Sequence, residues 1–202
     1  MVSIKGVCKD MSITKISPTS SQLLNRENCL LVVIDVQEKL MPVIAKGVRV
    51  INNLVVLLKF ARLTGLPVIV TEQQKLGATV AEVYAEASDI QPVFKWEFDC
   101  FACEEFCTRI NQLGKKNLLI CGVETHICIA QTVLHALPAY TVQVISDATS
   151  SRFLPNWSVA LERLRESGAT ITTTEMLIYE LLKRADTEEF KATLPLIKQI
   201  QP

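Results

Sequence analysis

The sequence predicts an α/β domain, a three-layer α/β/α sandwich around a mainly parallel, about six-stranded sheet, Rossmann-like in its winding. Three observations predict it. From about residue 28, short apolar runs alternate with longer amphipathic ones, as in repeated βα units. The short runs are β-branched and apolar through most of their length, which suits strands covered on both faces. Gly65, Gly114 and Gly168 each stand between a helical run and the next strand, where a left-handed C-cap residue is needed.

The elements follow in chain order. The first apolar run predicts a strand over Cys29–Ile34, and the amphipathic stretch Val48–Thr64 predicts the helix that Gly65 closes. Pro67–Thr71 is the second strand and Val80–Ala87 the second helix. A short strand, Val93–Lys95, precedes helix Cys103–Leu113, which stops at Gly114. Strand Asn117–Cys121 leads through Gly122-Val123-Glu124-Thr125 into helix Ile127–Leu137. Strand Thr141–Ser146, helix Trp157–Ser167, strand Ala169–Thr173 and helix Glu175–Leu182 complete the pattern, with Thr174 as N-cap of the last helix. Residues 1–27 read as an N-terminal arm, carrying Lys5, Lys9, Lys15 and Arg26 among Ser and Thr, for docking or transit. Residues 28–185 form the domain. Residues 186–202 are a charged then apolar segment (Leu194, Leu196, Ile197, Ile200) that docks on this subunit or a neighbour.

With 21 basic against 21 acidic residues and no basic stripe, nucleic acid is not an expected partner. No apolar run is long enough to span a membrane, so none is expected as a partner either. Seven cysteines in a chain that needs no staples point to a reducing, cytoplasmic setting. Cys100, Cys103 and Cys107 lack an obvious fourth ligand. Cys103 and Cys107 also share a helix face, so the run reads as core rather than metal site, and no metal or other cofactor is expected.

Sites in an open parallel sheet form outside the carboxyl ends of its strands. Those ends carry Asp35 and Gln37, then Thr71-Glu72-Gln73, then Lys95, the turn to Cys128, and Asp147. An Asp, a Lys and a Cys converge there. A thiol at a helix N-terminus is favoured as thiolate. Asp35, between Ile34 and Val36, can act as its base, and Lys95 can hold the charge and deliver a proton to a leaving group. Backbone N–H groups of Cys128 and of residues 123–125 can stabilise an oxyanion. This inventory describes hydrolysis of an amide, ester or related bond through a covalent cysteine intermediate.

The ordered set Ile34-Asp35-Val36-Gln37, Lys95 with Phe98, and Gly122-Val123-Glu124-Thr125-His126-Ile127-Cys128 resembles the isochorismatase-like cysteine hydrolases. That family includes nicotinamidases, N-carbamoylsarcosine amidases and isochorismatases. The likeness extends through residues 144–152 and 168–177, covering roughly residues 28–182. It implies Asp35 as general base, Lys95 as catalytic lysine, Cys128 as nucleophile, a cis peptide at Val123–Glu124, and oxyanion donors at the N–H groups of Glu124 and Cys128. It also implies a homo-oligomer. Thr71-Glu72-Gln73 with residues 75–80 is most similar to small isochorismatase-domain hydrolases of undefined substrate.

Two departures matter. No histidine lies between Asp35 and Lys95, so a nicotinamidase-type metal site is not expected. Glu124 places a carboxylate where many members carry a small residue, which would crowd or repel anionic substrates. The pocket for a small-molecule substrate is expected to involve Gln37, Glu72, Gln73, Trp96, Phe98 and Thr125, and to be narrowed by the bulky Lys95 loop. Two other readings stand beside hydrolysis: a non-catalytic binding or scaffold protein on the same fold, and a thiol redox sensor using Cys100, Cys103 and Cys128.

Overall fold

Six strands form one fully parallel sheet in the order β3-β2-β1-β4-β5-β6. They are β1 (Cys29–Ile34), β2 (Val68–Gln73), β3 (Val93–Lys95), β4 (Asn117–Val123), β5 (Thr141–Ser150) and β6 (Thr170–Thr172). The computed structural model describes residues 23–201, so expectations for residues 1–22, including Lys5, Lys9 and Lys15, lie outside it. Among the described residues no helix is long and apolar enough to cross a membrane.

Successive side chains of a strand point to opposite faces, and β1 shows what that does here. Leu31 and Val33 join one apolar cluster with helices α1 (Gly47–Thr64), α2 (Ala81–Glu86) and α6 (Thr174–Leu182). Leu30, Val32 and Ile34 join the opposite cluster with α3 (Glu104–Leu113), α4 (Ala130–Ala136) and α5 (Leu154–Glu166). All six residues of β1 are buried, so its sequence carries no alternation. Winding reverses between β1 and β4, and that switch point is where an open sheet offers a crevice.

Several boundaries differ from the sequence reading, each for a local reason. β5 continues four residues past Ser146 because polar residues there find partners: Ser146 Oγ donates to Thr172 O (2.8 Å), and the register shifts between Ile120 and Gly122 so that Thr149 and Ser150 pair with Gly122 and Val123. α5 starts at Leu154, with Pro155 in the first turn, where a missing N–H is harmless. The cap of α6 is Thr173, whose hydroxyl accepts from Met176 N, rather than Thr174. Thr174 instead donates through N and Oγ1 to Asp147 Oδ1 (2.8 and 2.9 Å).

The C-terminal segment contains a helix, α7 (Glu188–Ile197), capped by Thr187. Phe190, Leu196, Ile197 and Ile200 pack on the α1 side of the core. Asn53, buried in α1, fastens the end: its amide donates to Gln201 O and accepts from Gln201 N, both at 2.9 Å.

Candidate active site

The sheet edge is built from the ends of β1, β2, β3 and β4. Asp35 follows β1 in a left-handed backbone conformation (φ 54°), which Asp tolerates better than most side chains. It is 1% exposed. Its Oδ1 accepts from Thr71 Oγ1 at 2.7 Å, and its Oδ2 accepts from Lys95 Nζ at 2.6 Å. The Lys95 ammonium also donates to Gln73 Oε1 (2.8 Å) and Glu97 O (3.2 Å). All three of its N–H donors therefore have acceptors. Burial pulls the Lys95 pKa down, but the Asp35 carboxylate and the nearby Cys100 and Cys128 sulfurs outweigh it, and the net direction is upward.

Cys128 enters from the other side of the switch point. β4 ends in Gly122 (φ 110°), whose missing Cβ is required: a Cβ there would lie 2.1 Å from Ile34 O. A cis peptide follows at Val123–Glu124, at the bond the sequence reading named. The chain then makes a five-residue π-helical turn, Thr125–Ile129, before α4. Cys128 lies in that turn, 7% exposed, with its thiol close enough to Asp35 for the carboxylate to act on it. Its pKa is not lowered as a helix N-terminus alone would make it. Burial raises it first, the Asp35 charge raises it further, and Lys95 offsets only part.

The other cysteines sort by partner. Cys100 shares this neighbourhood, and burial pushes its thiol up to about 12, but its side-chain hydrogen bond is to Thr132 rather than to Asp35. Thr132 also accepts from Cys100 N at 3.0 Å. Cys103 Sγ reaches Phe94 O and Cys107 Sγ reaches Phe101 O. Among the described residues no cluster of three His, Cys, Asp or Glu side chains could hold a metal ion.

Residues 29–176 match the isochorismatase domain. The chain belongs to the isochorismatase family. It is 39% identical over 177 residues to the secreted isochorismatase effector Isc1 of Phytophthora sojae, covering 84% of each chain. It is 38% identical over 180 residues to isochorismatase domain-containing protein 2A of Mus musculus, covering 87% of this chain and 85% of that one. Among solved structures, the MAR1 ribonuclease of Caenorhabditis elegans superposes with a TM-score of 0.83 at 30% identity, over 90% of this chain and 95% of that one. The YcaC gene product of Escherichia coli, an octameric hydrolase of unknown specificity, shares the fold at a TM-score of 0.81 and 22% identity, over 90% and 96% of the two chains.

In this isochorismatase domain the remaining expected residues separate by what they touch. Gln73 is at the centre, bonded to Lys95 and donating through Nε2 to Trp96 O (2.7 Å). Gln37 is fully buried, with its amide bonded to Gln73 O, Gly77 O and Gln73 N, so it braces the loop beneath the site rather than lining a pocket. Glu72 accepts from Thr79 N and Thr79 Oγ1, which fixes the same loop. Thr125 is likewise buried and donates to Ser150 O. Trp96 and Phe98 flank the Lys95 strand end and are exposed, with Lys75 Nζ 5.3 Å from the centre of the Trp96 ring.

Glu124 does not present a bare charge. Its buried carboxylate accepts from Arg152 N (2.8 Å) and Arg152 Nε (3.0 and 3.3 Å). Thr71 and Arg152 were not singled out as site residues by the sequence reading. The signal for Thr71 was its place at a strand end beside Asp35's strand. Arg152 closes the stretch 144–152 that resembles the family, but its pairing with Glu124, 28 residues away, carried no signal.

Proposed function

We propose that this chain is a cysteine hydrolase of a small-molecule amide or ester, with Cys128 as nucleophile, Asp35 as general base and Lys95 as the cation that holds them. The observation that carries the reading is one buried carboxylate held between an ammonium group at 2.6 Å and a cysteine thiol. A neutral thiol beside a carboxylate is poised to lose its proton as it attacks, and the resulting charge is what Lys95 stabilises.

The steps balance with side chains and water. Cys128 Sγ attacks the carbonyl carbon while its proton passes to Asp35, and the carbonyl oxygen takes the negative charge opposite the N–H groups of Glu124 and Cys128. Collapse forms a thioester and expels the leaving group, which takes the proton from Asp35. Proton return falls to Asp35, which holds the proton at this stage, while Lys95 keeps its charge beside it. Water, deprotonated by Asp35, then hydrolyses the thioester and Cys128 recovers its proton. Trp96 and Phe98 form the outer wall of the pocket.

The chain acts in a reducing, cytoplasmic setting as a homo-oligomer. The octameric YcaC relative and the exposed aromatics Phe94 on edge strand β3 and Trp96 and Phe98 just beyond it support assembly. The experiment is a substrate panel of small amides, esters, vinyl ethers and, given the ribonuclease among its structural relatives, an RNA oligonucleotide, comparing wild type with Cys128→Ala. Hydrolysis of one small-molecule class, abolished by Cys128→Ala, is the expected outcome. Full activity in Cys128→Ala overturns the assignment.

A further inference from the structure

We infer that Glu124 and Arg152 form a charge-neutralising clamp that positions the oxyanion-binding turn, an inference that rests on the Cys128 hydrolase reading. An acid at residue 124 needs an explanation. The N–H assigned to the oxyanion belongs to the same residue, so covalent geometry keeps its carboxylate within a side chain's length of the negative charge that develops. A buried, unpaired anion there would oppose the transition state.

The structure removes that opposition and uses the group to hold the turn. Glu124 is 4% exposed, and both of its oxygens accept hydrogen bonds from Arg152, one from its backbone and a shared one from Nε. The arginine side chain is half exposed, so the compensating cation approaches from the solvent side of the turn. Two neighbouring bonds continue the attachment. Thr125 Oγ1 donates to Ser150 O at 2.9 Å, and His126 Nδ1 meets Ser151 Oγ at 2.9 Å. Three consecutive residues before Cys128 are thus fastened to three consecutive residues, 150 to 152, at the end of β5 and just beyond it. His126 Nδ1 also lies 4.0 Å from Glu124 Oε2. Glu124 and Arg152 act through the peptide they hold and are positioning residues.

Two reagents separate this role from general support of the fold. In acylation by 4-nitrophenyl acetate, Cys128 Sγ bonds to the carbonyl carbon, its proton goes to Asp35, the oxygen becomes an oxyanion, and collapse expels 4-nitrophenolate. In alkylation by iodoacetamide, the same sulfur displaces iodide at a saturated carbon and no oxyanion forms. Rates of both at Cys128 are followed by peptide mass spectrometry in wild type, Arg152→Ala and Glu124→Gln/Arg152→Ala. Loss of one oxyanion donor costs about 100- to 1000-fold, so leaving an uncompensated charge beside it is expected to slow acylation about tenfold or more. Alkylation of Arg152→Ala should stay unchanged, and the double variant should recover most of the acylation rate, because the uncompensated anion is gone while an amide oxygen at residue 124 still accepts from the backbone N–H of residue 152. Acylation of Arg152→Ala at the wild-type rate, equal slowing of both reagents, or a double variant slower than the single one overturns the clamp. A wild-type Cys128 that takes up no acetyl group instead overturns the hydrolase reading, which the wild-type arm alone reveals.

Discussion

Replacing Lys95 by Met keeps the length of a buried side chain and deletes its charge. Lys95 and Asp35 are 0% and 1% exposed at the side chain and 2.6 Å apart. Removing one member of such a pair strands the other charge away from water and costs about 3–5 kcal/mol. Asp35 retains the Thr71 hydroxyl and the Cys128 thiol, which cannot replace a full cation. For a chain of this size about 1 kcal/mol shifts Tm by roughly 2–4 °C, so Lys95→Met should melt about 6–20 °C below wild type. Urea unfolding monitored by circular dichroism gives the same difference as free energy. Asp35→Asn/Lys95→Met should recover much of the loss, since a neutral pair leaves no stranded charge. The direction of the Lys95 shift sets the pH window. A raised amine pKa contributes stability that is fully present below its ordinary value of 10.5 and is lost as pH rises through the folded value. The gap between wild type and Lys95→Met should therefore hold from pH 7 to 9 and shrink only at more alkaline pH. A gap under about 1 kcal/mol, the scale of an exposed pair, would refute the reasoning, as would a double variant no more stable than the single one.

Other perturbations test separate parts of the site. Asp35→Asn should lower turnover about 100- to 10,000-fold by removing the base. Because Asp35 is among the groups raising the Cys128 pKa, the same variant should show more thiolate by ultraviolet absorbance, and a rise in thiol pKa would contradict the electrostatics. Gly122→Ala would put a methyl group 2.1 Å from Ile34 O at a backbone φ of 110°, so β1 and β4 must separate. It should abolish the cooperative fold or cost several kcal/mol in urea, and near-wild-type stability would show that the strands part easily. Asn53→Ala removes three hydrogen bonds, two to Gln201 and one to Asp147 O, and should speed limited proteolysis after α7 without altering Cys128 acylation. Unchanged cleavage would mean that the apolar contacts of Phe190, Leu196 and Ile197 hold the segment alone.

The sheet was legible in the sequence because doubly covered strands are apolar on both faces. Cys29–Ile34, buried at every residue, falls where the pattern places it. The end of β5 was not legible, since Thr149 and Ser150 read as loop and enter the strand only because each hydroxyl has a partner. The same limit hid parts of the site. Asp35, Lys95 and Cys128 could be picked out because each sits at a strand end or in the turn after one. The bracing role of Gln37 and the neutralisation of Glu124 depend on hydrogen bonds between loops distant in the chain. The direction of the Cys128 shift differs from the sequence expectation for a related reason: the turn suggests an activating dipole, whereas burial and the adjacent carboxylate act the other way.

The central claim is that Cys128 carries the substrate's acyl group. Wild-type enzyme is quenched during turnover of the best amide or ester from the panel, and its peptides are mapped by mass spectrometry. The account predicts a transient acyl group on Cys128 that grows and decays with product formation and is absent in Cys128→Ala. Turnover with no adduct at any time, or with the acyl group on Cys100, Cys103 or another side chain, would contradict it.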